Sequence, residues 1–456
     1  MQKKIIESIV IFISVLKWVF LATVVGIIVG GSTTLFIKLL NVSISYTSNY
    51  PYYYLLLPVA FFLSAFLVDI FAKDAAGHGT EKVIEAVHKR SGKINGAVVP
   101  VKLLATIITL VSGGSAGKEG PCAQIGGGLS SIFADFFRFG DKDRRKLVIC
   151  GISAGFASVF GTPIAGAIFG VEVLFVGSIL YDVLLPSFIA GITAYQVSTS
   201  FGAAYFNAPL NFVPVFSESF FLIVILSGIF FGLCSFFLIE VMRSFNSLAR
   251  KIKIWDPYKG LIGGFSLILL TLIFSKQYLG LGLDTILSNL HGTVAPWYTF
   301  IVKTVFTSIT LAFGGSGGIV TPIFFIGATA GSFFAHIFHL DPATFAAIGF
   351  LSLLAGAANT PIAASIMAVE LFGPQVASYA AVACVISFLM TGHRSVYPSQ
   401  ILSMTKSASL NAEIGKNIEE AHSAFNKREK GLIMRVWRLI KIAMRSDSAP
   451  AKNIRK

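Results

Sequence analysis

Charge is what this chain has least of. Asp, Glu, Lys and Arg make up 13% of its 456 residues, about half the 25% typical of soluble domains. That scarcity excludes an ordinary water-soluble globule. Cysteine is scarce too: Cys122, Cys150, Cys234 and Cys384 all fall in apolar segments without metal-ligand spacing. They exclude a disulfide framework and a zinc ribbon, and read as small packing residues. The seven histidines contain no pair at i and i+4, so no helical metal site of that kind is encoded. No metal, cofactor or conventional enzyme signature is expected. The formal net charge of +14 calls for no nucleic acid, because the basic residues cluster in short loops. His88-Lys89-Arg90, Arg144-Arg145-Lys146 and Arg243 through Lys253 are placed to meet anionic lipid.

What the chain has instead is apolar length: 55% hydrophobic residues and a mean hydropathy of +0.78. Runs suited to a hydrocarbon core recur at 9–30, 54–72, 98–112, 143–160, 179–199, 217–241, 260–275, 297–313 and 376–391. The fold class expected is an all-α polytopic membrane protein, multi-pass in the cell membrane. The run from Ile9 to Val29 is too long for a signal-peptide core. Lysines at positions 3 and 4 and a basic tail put both termini in the cytoplasm by the positive-inside tendency.

The sequence also repeats itself. Residues 101–126, VKLLATIITLVSGGSAGKEGPCAQIG, align without a gap to 302–327, VKTVFTSITLAFGGSGGIVTPIFFIG, 201 positions later, and half of the positions match. Each copy is an apolar run with one lysine (Lys102, Lys303), a Gly/Ser knot, and a proline (Pro121, Pro322) entering the next run. The pattern continues: GTPIAGAIFGVEVL at 161–174 matches NTPIAASIMAVELF at 359–372, each with a lone glutamate, Glu172 and Glu370. Gly77-His78-Gly79 is echoed more weakly by Gly280-Leu281-Gly282. Two halves, about 30–200 and 215–400, are therefore expected, as in transporters that build a site between repeats.

The knots have a chemical reading. Irregular backbone at membrane depth survives only where it is buried in protein or lines an aqueous cavity. A helix that starts just after a knot presents unpaired N–H groups and the positive end of its dipole, and a first-turn proline costs it no hydrogen bond. These are the parts of an anion site built from partial charges, which attract an ion and still release it. Close helix packing by small residues is the bland alternative. Within the first knot, Glu119 in Gly117-Lys118-Glu119-Gly120-Pro121 is an intramembrane carboxylate, a functional group by default. Its negative charge can occupy the place of a substrate anion, and protonation would release it. The matching position in the second copy is Val320.

Gly117-Lys118-Glu119-Gly120-Pro121, Gly318-Ile319-Val320-Thr321-Pro322, Gly77-His78-Gly79-Thr80 and Tyr397 resemble the signature elements of the CLC chloride channel/transporter family, over about 75–400, the glutamate motif being the most specific of them. The resemblance implies tilted and broken helices in two inverted repeats. It implies a homodimer with one anion pathway per subunit, carrying chloride or a similar small anion, with protons in its exchangers. Carried over by position, Glu119 corresponds to the external gating glutamate. The backbone amides of Lys118, Glu119, Gly120, Ile319 and Val320 correspond to anion-coordinating groups, and Tyr397 to the phenol that donates to the central anion. A neutral hydroxyl donor suits an ion that must leave.

Three departures bear on function. The first motif usually reads Gly-Ser-Gly-Ile-Pro, whereas here it is Gly77-His78-Gly79-Thr80-Glu81. His78 is thus an anion contact through its N–H, or leaves coordination to the backbone, and the preferred anion stays open. Second, exchangers carry a glutamate on the cytoplasmic side of the proton route, and Val173 stands at that position. Glu172, one residue earlier, is the carboxylate left for an inner proton route. One helical step turns a side chain by about 100°, and the match to Glu370 favours a structural role for both. Third, Lys118 stands where arginine is more common, which removes a bidentate contact.

The resulting expectation is transmembrane anion transport, as anion/proton antiport gated by Glu119, with a passive channel of the same fold as the alternative. A remote alternative from another class is an intramembrane hydrolase using Ser115 and His78, which the duplicate knot at 314–318 argues against. The expected organisation is a transmembrane domain at 1–404 and a short basic cytoplasmic tail at 405–456, too short for paired nucleotide-binding modules. Within the tail, 430–445 has the amphipathic pattern of an interfacial helix on lipid.

Overall fold

A computed structural model describes residues 2–205, 210, 217–421 and 423–425. Among these lie sixteen α-helices and four very short strands. The first eight helices are α1 Gln2–Ser48, α2 Leu57–Phe71, α3 Thr80–Lys89, α4 Val98–Val111, α5 Glu119–Phe136, α6 Asp141–Phe160, α7 Pro163–Glu172 and α8 Tyr181–Ser200. The second eight follow the same order of long and short: α9 Glu218–Lys251, α10 Asp256–Ile273, α11 Leu283–Leu290, α12 Thr299–Ala312, α13 Val320–Ile337, α14 Pro342–Ala358, α15 Pro361–Phe372 and α16 Pro374–Met390.

The packing repeats as the sequence does. α1 lies on α8 as α9 lies on α16, α5 on α6 as α13 on α14, and α3 on α5 as α11 on α13. The halves meet through α2 against α10 and α7 against α15. Helix contact is close because glycines face each other at matched positions. A methyl group at Gly151 would strike the Gly126 carbonyl between α5 and α6, and one at Gly349 would strike the Gly327 carbonyl between α13 and α14. Small residues facing each other are how membrane helices pack without a water-driven force between them.

Five helical stretches among the described residues are long and apolar enough to cross a membrane: Lys3–Ser48, Tyr53–Phe71, Glu218–Lys251, Asp256–Ile273 and Val320–Ile337. Two differ from the runs read off the sequence. The helix expected at 9–30 extends over the 47 residues of α1, about 70 Å at 1.5 Å per residue, so it must tilt or project beyond a core about 30 Å thick. The stretch at 320–337 was absent from the expected spans because a Gly-rich knot and Pro322 precede its apolar run. In the fold it is the most enclosed of the five. Others, such as the ten-residue α7, cover only about 15 Å and are half-membrane pieces.

After α16 the chain returns to the body. β1 (Phe175–Val176) pairs in parallel with β2 (Ile401–Leu402), and β3 (Leu410–Ala412) pairs antiparallel with β4 (Ser423–Phe425). Ile418 N–H donates to the Gln400 carbonyl at 3.0 Å and Glu419 N–H to the Pro398 carbonyl at 3.3 Å, so residues just past 404 pack against the segment that carries Tyr397. The amphipathic stretch expected at 430–445 lies outside the described residues.

Candidate functional site: two helix ends around a buried carboxylate

The two knots meet at the centre of the fold. Gly117 N–H donates to the Gly318 carbonyl at 2.7 Å, and Gly318 N–H returns the bond to the Gly117 carbonyl at 2.6 Å. Hydroxyls from the opposite half secure each knot. Ser115 N–H donates to Thr310 Oγ1 at 3.0 Å and Ser316 N–H to Thr109 Oγ1 at 2.9 Å. The Ser115 hydroxyl meets that of Thr307 at 3.0 Å and the Ser316 hydroxyl that of Thr106 at 3.3 Å. Ser115 is therefore bound to a threonine rather than to His78, which leaves no nucleophile–base pair for the hydrolase alternative.

Just past the knots, α5 starts at Glu119 and α13 at Val320, with Lys118 and Ile319 in the capping positions. Pro121 and Pro322 each fall third in their helix, where the missing N–H has no intrahelical acceptor to lose. Close approach decides the residue type at Gly120, where a methyl group would strike the His78 carbonyl. The sequence thus folds two amino-terminal helix ends toward one small volume and removes the side chains that would fill it.

Glu119 occupies that volume. Its residue is 2% exposed. Oε1 accepts from the Thr321 hydroxyl at 2.6 Å and Oε2 from the Thr321 N–H at 3.2 Å. A carboxylate from the first half therefore sits on the amino end of the helix that opens the second half, as a free anion would. Thr321 was not singled out in the sequence. Its signal was in the repeat: Thr321 stands opposite Gly120, and only the second copy has a hydroxyl there.

On the other side of the knot, His78 lies in a turn between Gly77 and Gly79, whose φ angles of +71° and +82° belong to the left-handed region that favours glycine. The His78 ring stands 5.4 Å from the fully buried Tyr397 ring, centroid to centroid. His78 Nδ1 and the Tyr397 hydroxyl are both buried and have no protein partner. His78 also lines a cavity of about 350 Å³ that carries Arg243, Arg250 and Arg394 together with Glu240 and Glu419, with Arg394 paired to Glu240 at 2.8 Å and Arg250 to Glu419 at 3.9 Å. The contacts form a chain: Glu119 on Thr321, Gly120 against the His78 carbonyl, and the His78 ring beside Tyr397.

The lone lysines of the repeat have a supporting part that sequence reasoning left unassigned. Lys102 Nζ donates to the Ala75 and Gly77 carbonyls at 3.1 and 2.5 Å, and Lys303 Nζ to the Tyr278 and Gly280 carbonyls at 3.0 Å each. Each fully buried ammonium gathers the carbonyls of a glycine turn to one side. Lys102 thereby fixes the turn that holds His78. Glu172 and Glu370 are also a matched pair. Glu172 accepts from Ile362 N–H at 3.0 Å and Ala363 N–H at 2.8 Å, while Glu370 accepts from Ile164 N–H at 3.0 Å and Ala165 N–H at 2.8 Å. Each carboxylate caps the short helix that carries the other. The Val173 side chain is fully buried in the apolar core.

An all-helical membrane fold with two helix ends aimed at an internal carboxylate defines a transport protein for small anions. The sequence model of the family described as voltage gated chloride channel matches residues 59–392, and the chain belongs to that family, the CLC anion channels and transporters. It is 36% identical over 398 residues to a chloride/fluoride channel protein of Pseudomonas syringae pv. tomato, covering 86% of this chain and 87% of that one. Its fold is similar to the crystal structure of a CLC-type fluoride/proton antiporter, with a TM-score of 0.81 and 28% identity over 85% of this chain and 98% of the other. A slow cyanobacterial chloride/proton antiporter shares the fold, with a TM-score of 0.73 at 22% identity over 82% of this chain and 94% of the other. The family carries anions and is not a family of enzymes.

Proposed function

We propose that this chain exchanges a small halide, chloride or fluoride, for protons across the cell membrane, with Glu119 as the gate. The observation that carries the reading is the Glu119 carboxylate seated on Thr321 at the amino end of α13. A charged carboxylate, held by the Thr321 hydroxyl, competes with the halide for the backbone N–H groups of that helix end. A protonated one loses most of its attraction to the helix end and yields the place to the ion. Halide and proton therefore take turns at the same position, which is how one side chain couples two fluxes. Lys118, Gly120, Ile319 and Val320 contribute backbone at the two helix ends, while His78 and Tyr397 line the inner part of the path. Fluoride enters the proposal through the relatives named for it, and His78 in place of a serine gives the inner site a different donor from a hydroxyl.

The protein works as a homodimer in lipid, with both termini in the cytoplasm, a membrane domain at 1–404 and a short tail at 405–456. Apolar side chains left exposed on α7, α8, α15 and α16, including Ile164, Ile192, Ile362 and Val385, form the face offered to a second copy. A passive channel of the same fold is the second reading, favoured by the buried Val173 where exchangers carry a glutamate. Reconstituted vesicles separate the two. Under an outward halide gradient, exchange moves protons inward against their own gradient and Glu119→Gln abolishes that movement, whereas a channel moves halide alone.

A further inference from the structure

Five buried polar atoms without a protein partner gather at the inner end of the path: His78 Nδ1, Thr80 Oγ1, Glu81 Oε2, Gln124 Oε1 and Tyr397 Oη. Three belong to the turn and helix start at 78–81, and the other two come from α5 and from the segment of Tyr397. The His78 and Tyr397 rings lie 5.4 Å apart. The Thr80 hydroxyl lies beside the Tyr397 phenol without a hydrogen bond between them. Gln124 Oε1 lies 3.2 Å from where a Gly79 methyl would be. Buried polar atoms are ordinarily satisfied, and a cluster of unsatisfied ones marks a place that something else occupies.

Glu81 is the one carboxylate of the five. Its Oε1 accepts from Ser399 N–H at 2.9 Å and from the Ser399 hydroxyl, two positions along from Tyr397. Its Oε2 is buried with no donor, while the residue as a whole keeps some contact with solvent. An unpaired carboxylate oxygen in such a place is expensive, and a proton on it removes the charge. Other carboxylates are committed: both oxygens of Glu172 and both of Glu370 hold helix-end amides, while Glu240 and Glu419, in the cavity that His78 lines, pair with Arg394 at 2.8 Å and with Arg250 at 3.9 Å. Val173 supplies no acid at all. Tyr397 lies within electrostatic reach of both Glu81 and Glu119.

We propose that Glu81 is the inner proton-transfer group of this exchanger, taking protons from water of the cavity that His78 lines and passing them by way of Tyr397 and His78 toward Glu119. The inference rests on the exchange reading above. Each step moves one proton and no electrons: hydronium gives its proton to Glu81 Oε2, the carboxylic O–H gives it to the His78–Tyr397 pair or a water beside them, and Glu119 receives it. The charged and titratable groups acting on this relay are Lys82 and Glu85 of α3 beside Glu81, Lys102 of α4 and Lys82 beside His78, and Tyr397 with Glu119 of α5.

The test uses the full chain in liposomes with a fluoride or chloride gradient, reading halide efflux and proton uptake together. Glu81→Gln keeps an amide oxygen that still accepts from Ser399, so a merely structural role survives it. The expected result is halide efflux within about threefold of the wild type and a proton-to-halide ratio lower by about tenfold or more. A Glu81→Gln protein with the wild-type ratio overturns the proposal. If the wild type itself moves no protons with halide, the exchange reading fails and this proposal with it, and that outcome is visible before any substitution. Should Glu81→Gln not fold, Ser399→Ala decides. It removes the hydroxyl donor and keeps the carboxylate, so the pH profile of proton uptake is displaced, whereas a profile superimposed on the wild type overturns the assignment.

Discussion

Thr321→Val isolates the hold on the gate. The substitution keeps the β-branched shape and removes one hydroxyl, the donor 2.6 Å from Glu119 Oε1. The Thr321 N–H, 3.2 Å from Oε2, remains, so the carboxylate is weakened in its seat and not orphaned. A hydrogen bond to a charged group contributes about 1.5–3 kcal/mol net, which corresponds to about a ten- to hundredfold change in the occupancy of the seat. Because the halide competes for that seat, its apparent affinity is reduced by the fraction of time the carboxylate holds it. Thr321→Val should therefore tighten the apparent halide affinity by up to that factor. The assay is the halide-concentration dependence of flux in reconstituted vesicles, with proton coupling read in parallel. Coupling should persist, because Glu119 itself is intact. An apparent affinity within about twofold of the wild type would refute the claim that this bond holds the gate.

Two other perturbations follow from the supporting contacts. Glu370→Ala removes both acceptors from the amino end of α7 and should cost about 1–2 kcal/mol, as loss of a helix cap does, read as a lower midpoint of thermal unfolding in detergent; Glu370→Gln, which keeps one acceptor, should lose less. Lys102→Met leaves the buried Ala75 carbonyl and the half-buried Gly77 carbonyl without their donor, at a cost of about 3 kcal/mol, and frees the turn that carries His78. Lys303→Met should destabilise by a similar amount, yet impair halide flux less, because its turn at Gly280–Gly282 holds no side chain against Tyr397.

Much of this was legible in the sequence because the duplication is local and ungapped. The copies at 101–126 and 302–327 placed the knots, the starts of α5 and α13, and the isolated carboxylate of Glu119. The repeat at 161–174 and 359–372 paired Glu172 with Glu370, although the short helices that carry them were not among the expected spans. What escaped was contact between halves. Thr321 reaches Glu119 across 202 residues, and the repeat made Thr321 visible only as a mismatch with Gly120. Glu81 stood in the Gly77–Glu81 motif as a departure from the usual proline, yet its meaning depends on Ser399, 318 residues away. Hydropathy also misjudged lengths. α1 runs through Ser32–Thr34 to Ser48 because serine and threonine hydroxyls bond back to the preceding helical turn, as Thr33 does to the Val29 carbonyl at 2.7 Å, so polar residues end the apolar run without ending the helix.

The central claim is that one carboxylate, Glu119, makes halide and proton alternate at a shared seat. The most direct measurement is proton movement driven by a halide gradient in vesicles holding the wild-type protein, set against Glu119→Gln. The account predicts that the wild type carries protons uphill in exchange for halide, and that Glu119→Gln passes halide with no proton movement. Halide flux without proton movement in the wild type, or undiminished proton exchange in Glu119→Gln, would contradict it.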